Sequence, residues 1–139
     1  MTADQVGVLD TSTLVLIDRL DPESLPAEPV ITAVTLAELS VGPLVASDEQ
    51  ERVARQVRLQ QAEASFEPLA FDAQAARSFG GGAASLRRSG RKTKSRAFDA
   101  LIAATAIAND LPLYTCNPRD FEGIDGLRVE GVPHPDERC

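Results

Sequence analysis

Short apolar runs that alternate with helix-length segments limit the fold of this sequence more than any other feature. The run at residues 6–10 ends in Asp-Thr-Ser, which predicts a buried strand followed by a helix start. Short apolar runs that begin at Val30, Leu113 and Leu127 predict three more strands, and residues 68–71 a further one. Because helical segments separate the strands, we expect an α/β fold with a central parallel sheet.

The segments between these runs have helical patterns. They cover residues 14–20, 35–44, 48–64, 73–86 and 95–109. Three consecutive glycines at 80–82 predict a break in the fourth segment. Ser95 is the expected N-cap of the last segment, whose many alanines suit a helix that lies close against a sheet.

Length and composition indicate one ordinary globular domain. The 139 residues are 43% hydrophobic and 25% charged, so we expect a single domain over residues 1–139, with a loose tail from about residue 131. No apolar run approaches the roughly 18 residues of a membrane-spanning helix, and the N-terminus does not resemble a signal peptide. With only two cysteines, the expected location is the reducing cytoplasm, without membrane contact.

The net charge of −7 hides an uneven distribution. Residues 73–98 contain no acidic residue but hold seven of the 14 basic ones: Arg77, Arg87, Arg88, Arg91, Lys92, Lys94 and Arg96. A basic strip of this kind binds phosphate groups even on an acidic protein, although it is also compatible with a solvated helix end.

Acidic and amide side chains follow the predicted strands. Asp10 ends the first strand, Glu38 lies near the start of the helix after the second, and Asp99 lies in the first turns of the alanine-rich helix. Asn117 and Asp120 follow the third strand. The ends of parallel strands meet at one sheet edge, so these side chains are expected to converge there. Clustered carboxylates favour a hard cation, Mg²⁺ or Mn²⁺.

Each of these residues also has a purely structural interpretation. Asp10 could be only a helix N-cap, and Glu38 could complete a capping box that starts at Thr35. Asp99 could complement the helix dipole, and Asp120 could be a turn residue.

Four segments together resemble the successive motifs of PIN-domain ribonucleases, and in size the chain resembles the VapC toxins of bacterial toxin–antitoxin pairs. They are Val-Leu-Asp-Thr-Ser at 8–12, Thr-Leu-Ala-Glu-Leu at 35–39, Phe-Asp-Ala-Leu-Ile-Ala-Ala-Thr-Ala at 98–106 and Leu-Tyr-Thr-Cys-Asn-Pro-Arg-Asp-Phe at 113–121. The resemblance implies a PIN-like α/β/α sandwich with a central parallel sheet and a Mg²⁺-dependent endoribonuclease site.

The resemblance also assigns residues and partners. It implies that Asp10 and Asp99 hold the metal and that Glu38 completes the acidic cluster, while Asn117 stands where the family often has Asp. Asp120, three residues later, could compensate for the missing carboxylate through water. The implied function is cleavage of structured RNA, such as tRNA or rRNA, by a homodimer that a VapB-type antitoxin inhibits.

Three other functions fit the sequence less well. A PIN fold that serves only as a protein- or RNA-binding scaffold would suit Asn117, but Asp10, Glu38 and Asp99 argue against it. A phospho-acceptor domain needs a lysine after a late strand, and the sequence has none there. A nucleotide-binding enzyme would need Gly-Lys-Thr/Ser after the glycines at 80–82.

Overall fold

Four short strands form one parallel sheet at the centre of the molecule. The computed structural model describes residues 6–88, 90 and 97–137. The strands are β1 (Val6–Leu9), β2 (Glu28–Val30), β3 (Leu113–Thr115) and β4 (Val129–Gly131), in the spatial order β2-β1-β3-β4. Each neighbouring pair runs parallel, so the predicted parallel α/β sheet is confirmed.

The strands lie close to the predicted positions. β1 and β3 form where the apolar runs predict them, whereas β2 begins earlier than Val30 and β4 begins two residues after Leu127. The strand predicted at residues 68–71 is wrong, because only a single bridge joins Leu69 to Thr32 there.

Helices cover both faces of this sheet. They are α1 (Thr11–Val15), α2 (Ala33–Val41), α3 (Glu49–Ser65), α4 (Ala73–Arg88) and α5 (Ala97–Ala108), and short 3-10 turns occupy Ile17–Arg19, Pro22–Ser24, Gly42–Val45, Pro118–Phe121 and Pro135–Glu137. α3 begins one residue after the predicted start of its segment, and Asp48 is its N-cap, because the Asp48 side chain accepts a hydrogen bond from the Glu51 N–H at 2.7 Å. Ser95, the predicted cap of α5, lies outside the described residues.

The predicted break at residues 80–82 is wrong, because α4 continues through all three glycines. A glycine inside a helix costs about 1 kcal/mol relative to alanine. Packing offsets this cost: Phe79 contacts the core, and a Cβ at Gly82 would lie 3.6 Å from the Ile124 side chain. Tertiary contacts with α5 therefore keep helical a segment whose local sequence disfavours it.

Two apolar clusters fill the space between the sheet and the helices. Val8 and Leu9 are fully buried and belong to different clusters, because successive strand side chains point to opposite faces. One cluster includes buried alanines of α5, and the other includes Leu39 of α2 and Ala62 of α3. The structure is the α/β/α arrangement that the resemblance described above implies.

The end of the chain lies against this body as far as residue 136. The Val132 side chain is buried and its N–H donates to the Thr115 carbonyl at 2.8 Å. Arg19 pairs with Asp136 at 2.8 Å. Among the residues that the structure describes, no helix is long and apolar enough to cross a membrane.

Candidate functional site

The carboxyl ends of β1 and β3 lie where this sheet topology favours a binding site. From β1 the chain crosses to β2 on one side, while β3 pairs with β1 on the other. At such a switch point the loops after the two strands diverge and leave a crevice. Asp10 directly follows β1, and Asn117 follows β3 after one intervening residue. The fold therefore brings together residues that are more than 100 positions apart in sequence.

Asp10 is buried at this edge, with only 3% of its surface exposed. One carboxylate oxygen, Oδ2, accepts hydrogen bonds from the hydroxyls of Ser12 and Thr115, each at 3.1 Å. The other oxygen, Oδ1, is buried and has no hydrogen-bond partner among the described residues. Burial raises the pKa of Asp10 above its ordinary value of 3.8, and the hydroxyls of Thr13, Thr115 and Ser12 oppose that rise.

A capping role does not explain why Asp10 is buried. Asp10 occupies the N-cap position of α1, but its side chain makes no capping hydrogen bond. An N-cap carboxylate normally accepts a hydrogen bond from a backbone N–H of the first turn. The carboxylate instead contacts side-chain hydroxyls.

Glu38 is held by a hydroxyl of the neighbouring helix α1. Thr11 Oγ1 donates to Glu38 Oε1 at 2.6 Å and lies 3.0 Å from Thr35 Oγ1. The capping box predicted from Thr35 is wrong, because α2 begins three residues earlier. Thr32 is its N-cap and accepts the Thr35 N–H at 3.2 Å, so Glu38 lies in the second turn.

Asn117 contacts the same group of side chains. Its Nδ2 donates to Ser12 Oγ at 3.1 Å, and its backbone N–H donates to Thr115 Oγ1 at 2.9 Å. Hydrogen bonds thus link Asn117 to Asp10 through Ser12. Thr11, which lies between Asp10 and Ser12 in the sequence, contacts Glu38. Three of the four predicted site residues therefore surround the start of α1.

Asp99 and Asp120 lie on other elements. Asp99 is half-buried in the first turn of α5, and Asp120 lies in the turn Pro118–Phe121. In the described parts of the chain, no three Asp, Glu, His or Cys side chains are close enough to hold a metal. Convergence of Asp10, Glu38 and Asp99 on one ion therefore stays a prediction, as does the compensating role of Asp120.

Two buried threonines of the site did not stand out in the sequence as site residues. Thr13 is fully buried, and its hydroxyl accepts the Cys116 N–H at 3.0 Å, which ties α1 to the end of β3. Thr35 is also fully buried and contacts Thr11. The one available signal was that hydroxyl side chains occupy three consecutive positions after Asp10.

The basic strip is only partly within the described residues. Arg77 and Arg87 are exposed on α4, while Arg88 makes an exposed ion pair with Asp125 at 2.9 Å. Its other four basic residues lie in the segment 91–96, outside the described residues. A phosphate-binding role for this strip stays a prediction.

Comparisons with known proteins point to one family. Residues 8–127 match the family model of the PIN domain. The chain is 38% identical to Ribonuclease VapC5 of Mycobacterium tuberculosis over 128 residues, which covers 90% of this chain and 92% of that protein.

Solved structures give the same answer. The crystal structure of VapBC-5 from Mycobacterium tuberculosis, a member of the VapBC family of toxin–antitoxin systems, matches with a TM-score of 0.79 and 35% identity, over 92% of this chain and 99% of that chain. The DNA-bound VapBC structure from Salmonella typhimurium matches with a TM-score of 0.72 and 28% identity, over 89% and 96% of the two chains.

Proposed function

Because the chain belongs to the PIN-domain family, and within it to the VapC ribonuclease toxins, we propose that it is a metal-dependent endoribonuclease. In this proposal it is the toxin of a VapBC-type pair and cuts structured RNA, such as tRNA or rRNA, in the cytoplasm. The observation that carries the proposal is Asp10, a buried carboxylate at the switch point of the sheet with one oxygen that no described residue satisfies.

The side chains at this edge fit a hard divalent cation, Mg²⁺ or Mn²⁺. A buried carboxylate oxygen without a donor costs about 1–3 kcal/mol or more, and a cation would remove this cost. Carboxylate oxygens are the ligands that Mg²⁺ and Mn²⁺ prefer. Asp10 and Asp99 are the residues that would hold the ion. When bound, such a cation neutralises charge on the scissile phosphodiester and stabilises the leaving oxygen.

The protein's own side chains supply positioning and proton transfer. Ser12 and Thr115 fix one oxygen of Asp10, and Oδ1 would be the oxygen available to a bound cation. Thr11 holds Glu38 in place. Glu38 would orient the attacking water and accept its proton, while the water oxygen bonds to phosphorus. The bond from phosphorus to the departing ribose oxygen breaks, and that oxygen takes a proton from solvent.

RNA binding needs positive charge away from these carboxylates, because an acidic site repels phosphates. Arg77 and Arg87 are exposed on α4, and the sequence places four more basic residues at 91–96. Contacts to phosphates give binding that weakens steeply with salt and does not depend on sequence. We therefore assign RNA attraction to this strip.

The partners in this proposal are a VapB-type antitoxin and a second copy of the chain. Leu44 is 84% exposed and Val45 is also exposed, in the turn Gly42–Val45 that packs beside α3. Large apolar side chains exposed together are typical of protein contact surfaces. We expect Leu44→Ser with Val45→Ser to weaken co-purification with the cognate antitoxin. We also expect light scattering to give the protein without antitoxin twice the mass of one chain.

The experiment that tests the proposal is incubation of the purified protein with total RNA, with Mg²⁺ or with EDTA, followed by sequencing of the new ends. We expect cleavage at defined tRNA or rRNA sites only with Mg²⁺. Asp10→Asn is expected to lose this cleavage. Asp21→Asn is its matched control, since Asp21 is an exposed N-cap of the turn Pro22–Ser24 and Asn caps equally well.

The second candidate function is a PIN fold with weak or no catalysis that serves as a binding scaffold. Two observations favour it: Asn117 replaces a carboxylate, and the described residues contain no group of three potential metal ligands. RNA that stays intact with Mg²⁺ but binds the protein would support the scaffold over the ribonuclease.

A further inference from the structure

The hydroxyl of Thr11 has one hydrogen and two close neighbours. Glu38 Oε1 lies 2.6 Å away and Thr35 Oγ1 lies 3.0 Å away. A carboxylate only accepts hydrogen bonds, so the hydrogen of Thr11 goes to Glu38. The Thr35 hydroxyl must then be the donor to Thr11. These two hydrogen bonds therefore form a chain with a fixed direction: Thr35 donates to Thr11, which donates to Glu38.

The next residue, Ser12, is in the same situation. Its hydroxyl donates to Asp10 Oδ2 at 3.1 Å, which uses its only hydrogen. A further partner of Ser12 must therefore be a donor, and Asn117 Nδ2 is such a donor at 3.1 Å. An ionised Asp at position 117 could not donate. The amide at this position, where the family often has a carboxylate, thus has a chemical reason.

The two hydrogen-bond chains have the same arrangement. Consecutive hydroxyls at the start of α1 each orient one carboxylate, and each receives a hydrogen bond from another element. That element is α2 for Thr11 and the segment after β3 for Ser12. Because both hydroxyl hydrogens are engaged by carboxylates, neither is available to a phosphate oxygen of RNA.

We propose that Thr11 and Ser12 are positioning residues that fix Glu38 and Asp10 through one-way hydrogen-bond chains, and that Asn117 acts through Ser12 as the terminal donor. This inference rests on the proposed function, because it assigns the two carboxylates to metal-dependent cleavage of RNA. It adds to that proposal a role for Asn117, which supports a metal ligand and is not one itself.

Such supporting residues have measurable effects. Partners that orient metal ligands typically change metal affinity or activity about 10–100-fold when removed. Residues that act through one another give non-additive effects in a double-mutant cycle, whereas independent contacts add. The Ser12–Asn117 pair and the Thr11–Glu38 pair can therefore be tested separately.

The first test is a cycle of Ser12→Ala, Asn117→Ala and the double variant, with Mn²⁺ affinity measured by electron paramagnetic resonance without RNA. Each single change is expected to weaken Mn²⁺ binding about tenfold. The double variant is expected to bind as weakly as Ser12→Ala alone. A roughly hundredfold loss in the double variant would show that Asn117 acts independently of Ser12, and would overturn the inference. Ser12→Thr keeps the hydroxyl and is expected to bind Mn²⁺ like the wild type.

The second test compares Thr11→Val, which has nearly the same shape without the hydroxyl, with Thr11→Ser, which retains it. We expect Val to lower kcat about tenfold with KM for RNA unchanged, and Ser to restore it. In a Glu38→Gln background, Thr11→Val is expected to cause no further loss. Equal kcat values for Val and the wild type, or for Val and Ser, would contradict the positioning role.

The two levels of the proposal fail differently. Wild-type protein that neither binds Mn²⁺ nor cuts RNA would overturn the proposed function together with this inference. If the wild type binds Mn²⁺ and cuts RNA, but the effects of Ser12→Ala and Asn117→Ala on Mn²⁺ affinity are additive, the inference alone would be overturned. Far-UV circular dichroism of each variant reports whether it folds, and if Thr11→Val does not fold, the Ser12–Asn117 cycle decides.

Discussion

The change Asp10→Asn is expected to stabilise the protein in the absence of metal and to remove its response to Mg²⁺. Asp10 is 3% exposed, and its Oδ1 has no partner among the described residues. An unsatisfied buried acceptor costs about 1–3 kcal/mol, and more when charged. Asn keeps an oxygen for Ser12 and Thr115 but carries no charge. It still leaves a buried polar group at the Oδ1 position. We therefore expect Asp10→Asn to raise the free energy of unfolding by about 1 kcal/mol, the lower end of this range.

In Mg²⁺, unlike in EDTA, the wild type is expected to be more stable than Asp10→Asn. A ligand present at 100 times its dissociation constant stabilises the native state by about 2.7 kcal/mol. With about 3 °C for each kcal/mol in a chain of this size, Mg²⁺ is expected to raise the wild-type Tm by about 8 °C. The Asn variant is expected to melt about 3 °C above the wild type in EDTA and to be unchanged by Mg²⁺.

The pH dependence follows from the raised pKa of Asp10. The native state holds this proton more tightly than the unfolded chain, so the stability of the metal-free protein falls as pH rises from 3.8 through the folded pKa. The penalty is complete above the folded pKa and absent below 3.8, where the carboxyl is neutral in both states. The advantage of Asp10→Asn should therefore disappear at low pH.

The assay is thermal unfolding followed by circular dichroism, in EDTA and in Mg²⁺, with Asp21→Asn as the control that responds like the wild type. An Asn variant that is less stable than the wild type in EDTA would show that the charged carboxylate stabilises the fold. Equal Mg²⁺ responses of the two proteins would refute the assignment of the ion to Asp10.

Three further predictions concern the helices, the sheet and the RNA contact. Gly81→Ala should raise stability by about 1 kcal/mol in urea unfolding, because α4 is continuous and a Cβ there meets no atom within 4 Å. Gly7→Ala should lower stability by about 1–3 kcal/mol in the same assay, because a Cβ would lie 2.5 Å from the Tyr114 ring. Neutralising Arg87, Arg88 and Arg91 together should weaken RNA binding and reduce its salt dependence in a binding titration.

Each of these predictions has its own control or contrary outcome. A Gly81→Ala protein less stable than the wild type would indicate a non-helical backbone at that residue. An unchanged Gly7→Ala protein would show that Tyr114 moves aside without cost. Arg52→Gln, an exposed arginine of α3 paired with Glu49, should leave RNA binding unchanged. Equal binding by the triple variant and the wild type would show that the basic strip does not bind RNA.

Local sequence patterns predicted the elements that hold the site, but not their exact limits. The runs that became β1 and β3 are strands in which all residues but Val6 and Tyr114 are buried, and their alternation with helices was enough to predict a parallel sheet. The break predicted at the glycines 80–82 does not form, because packing of α4 on α5 outweighs their low helix propensity. The capping box predicted from Thr35 does not form either, because two threonines three residues apart both fit a helix cap and only Thr32 is the cap.

The contacts within the site could not be predicted from the sequence. The hydrogen bond from Thr115 to Asp10 joins residues 105 positions apart, and it exists because β3 pairs with β1. The same pairing places Asn117 beside Ser12. Sequence motifs therefore identified Asp10, Glu38 and Asn117 as candidates, and they suggested that Thr11, Ser12 and Thr115 contact metal-bound water or phosphate. The hydrogen bonds by which these hydroxyls orient the carboxylates emerged only from the fold.

We propose that this protein cuts RNA at a site built on Asp10. The most direct measurement is single-turnover cleavage of a labelled RNA that contains a site mapped in total RNA, at saturating Mg²⁺, by the wild type, Asp10→Asn and Asp21→Asn. We expect equal rates for the wild type and Asp21→Asn, both abolished by EDTA, and a loss of at least about a hundredfold for Asp10→Asn. Cleavage by Asp10→Asn at the wild-type rate, or cleavage that persists in EDTA, would contradict a metal-dependent site at Asp10.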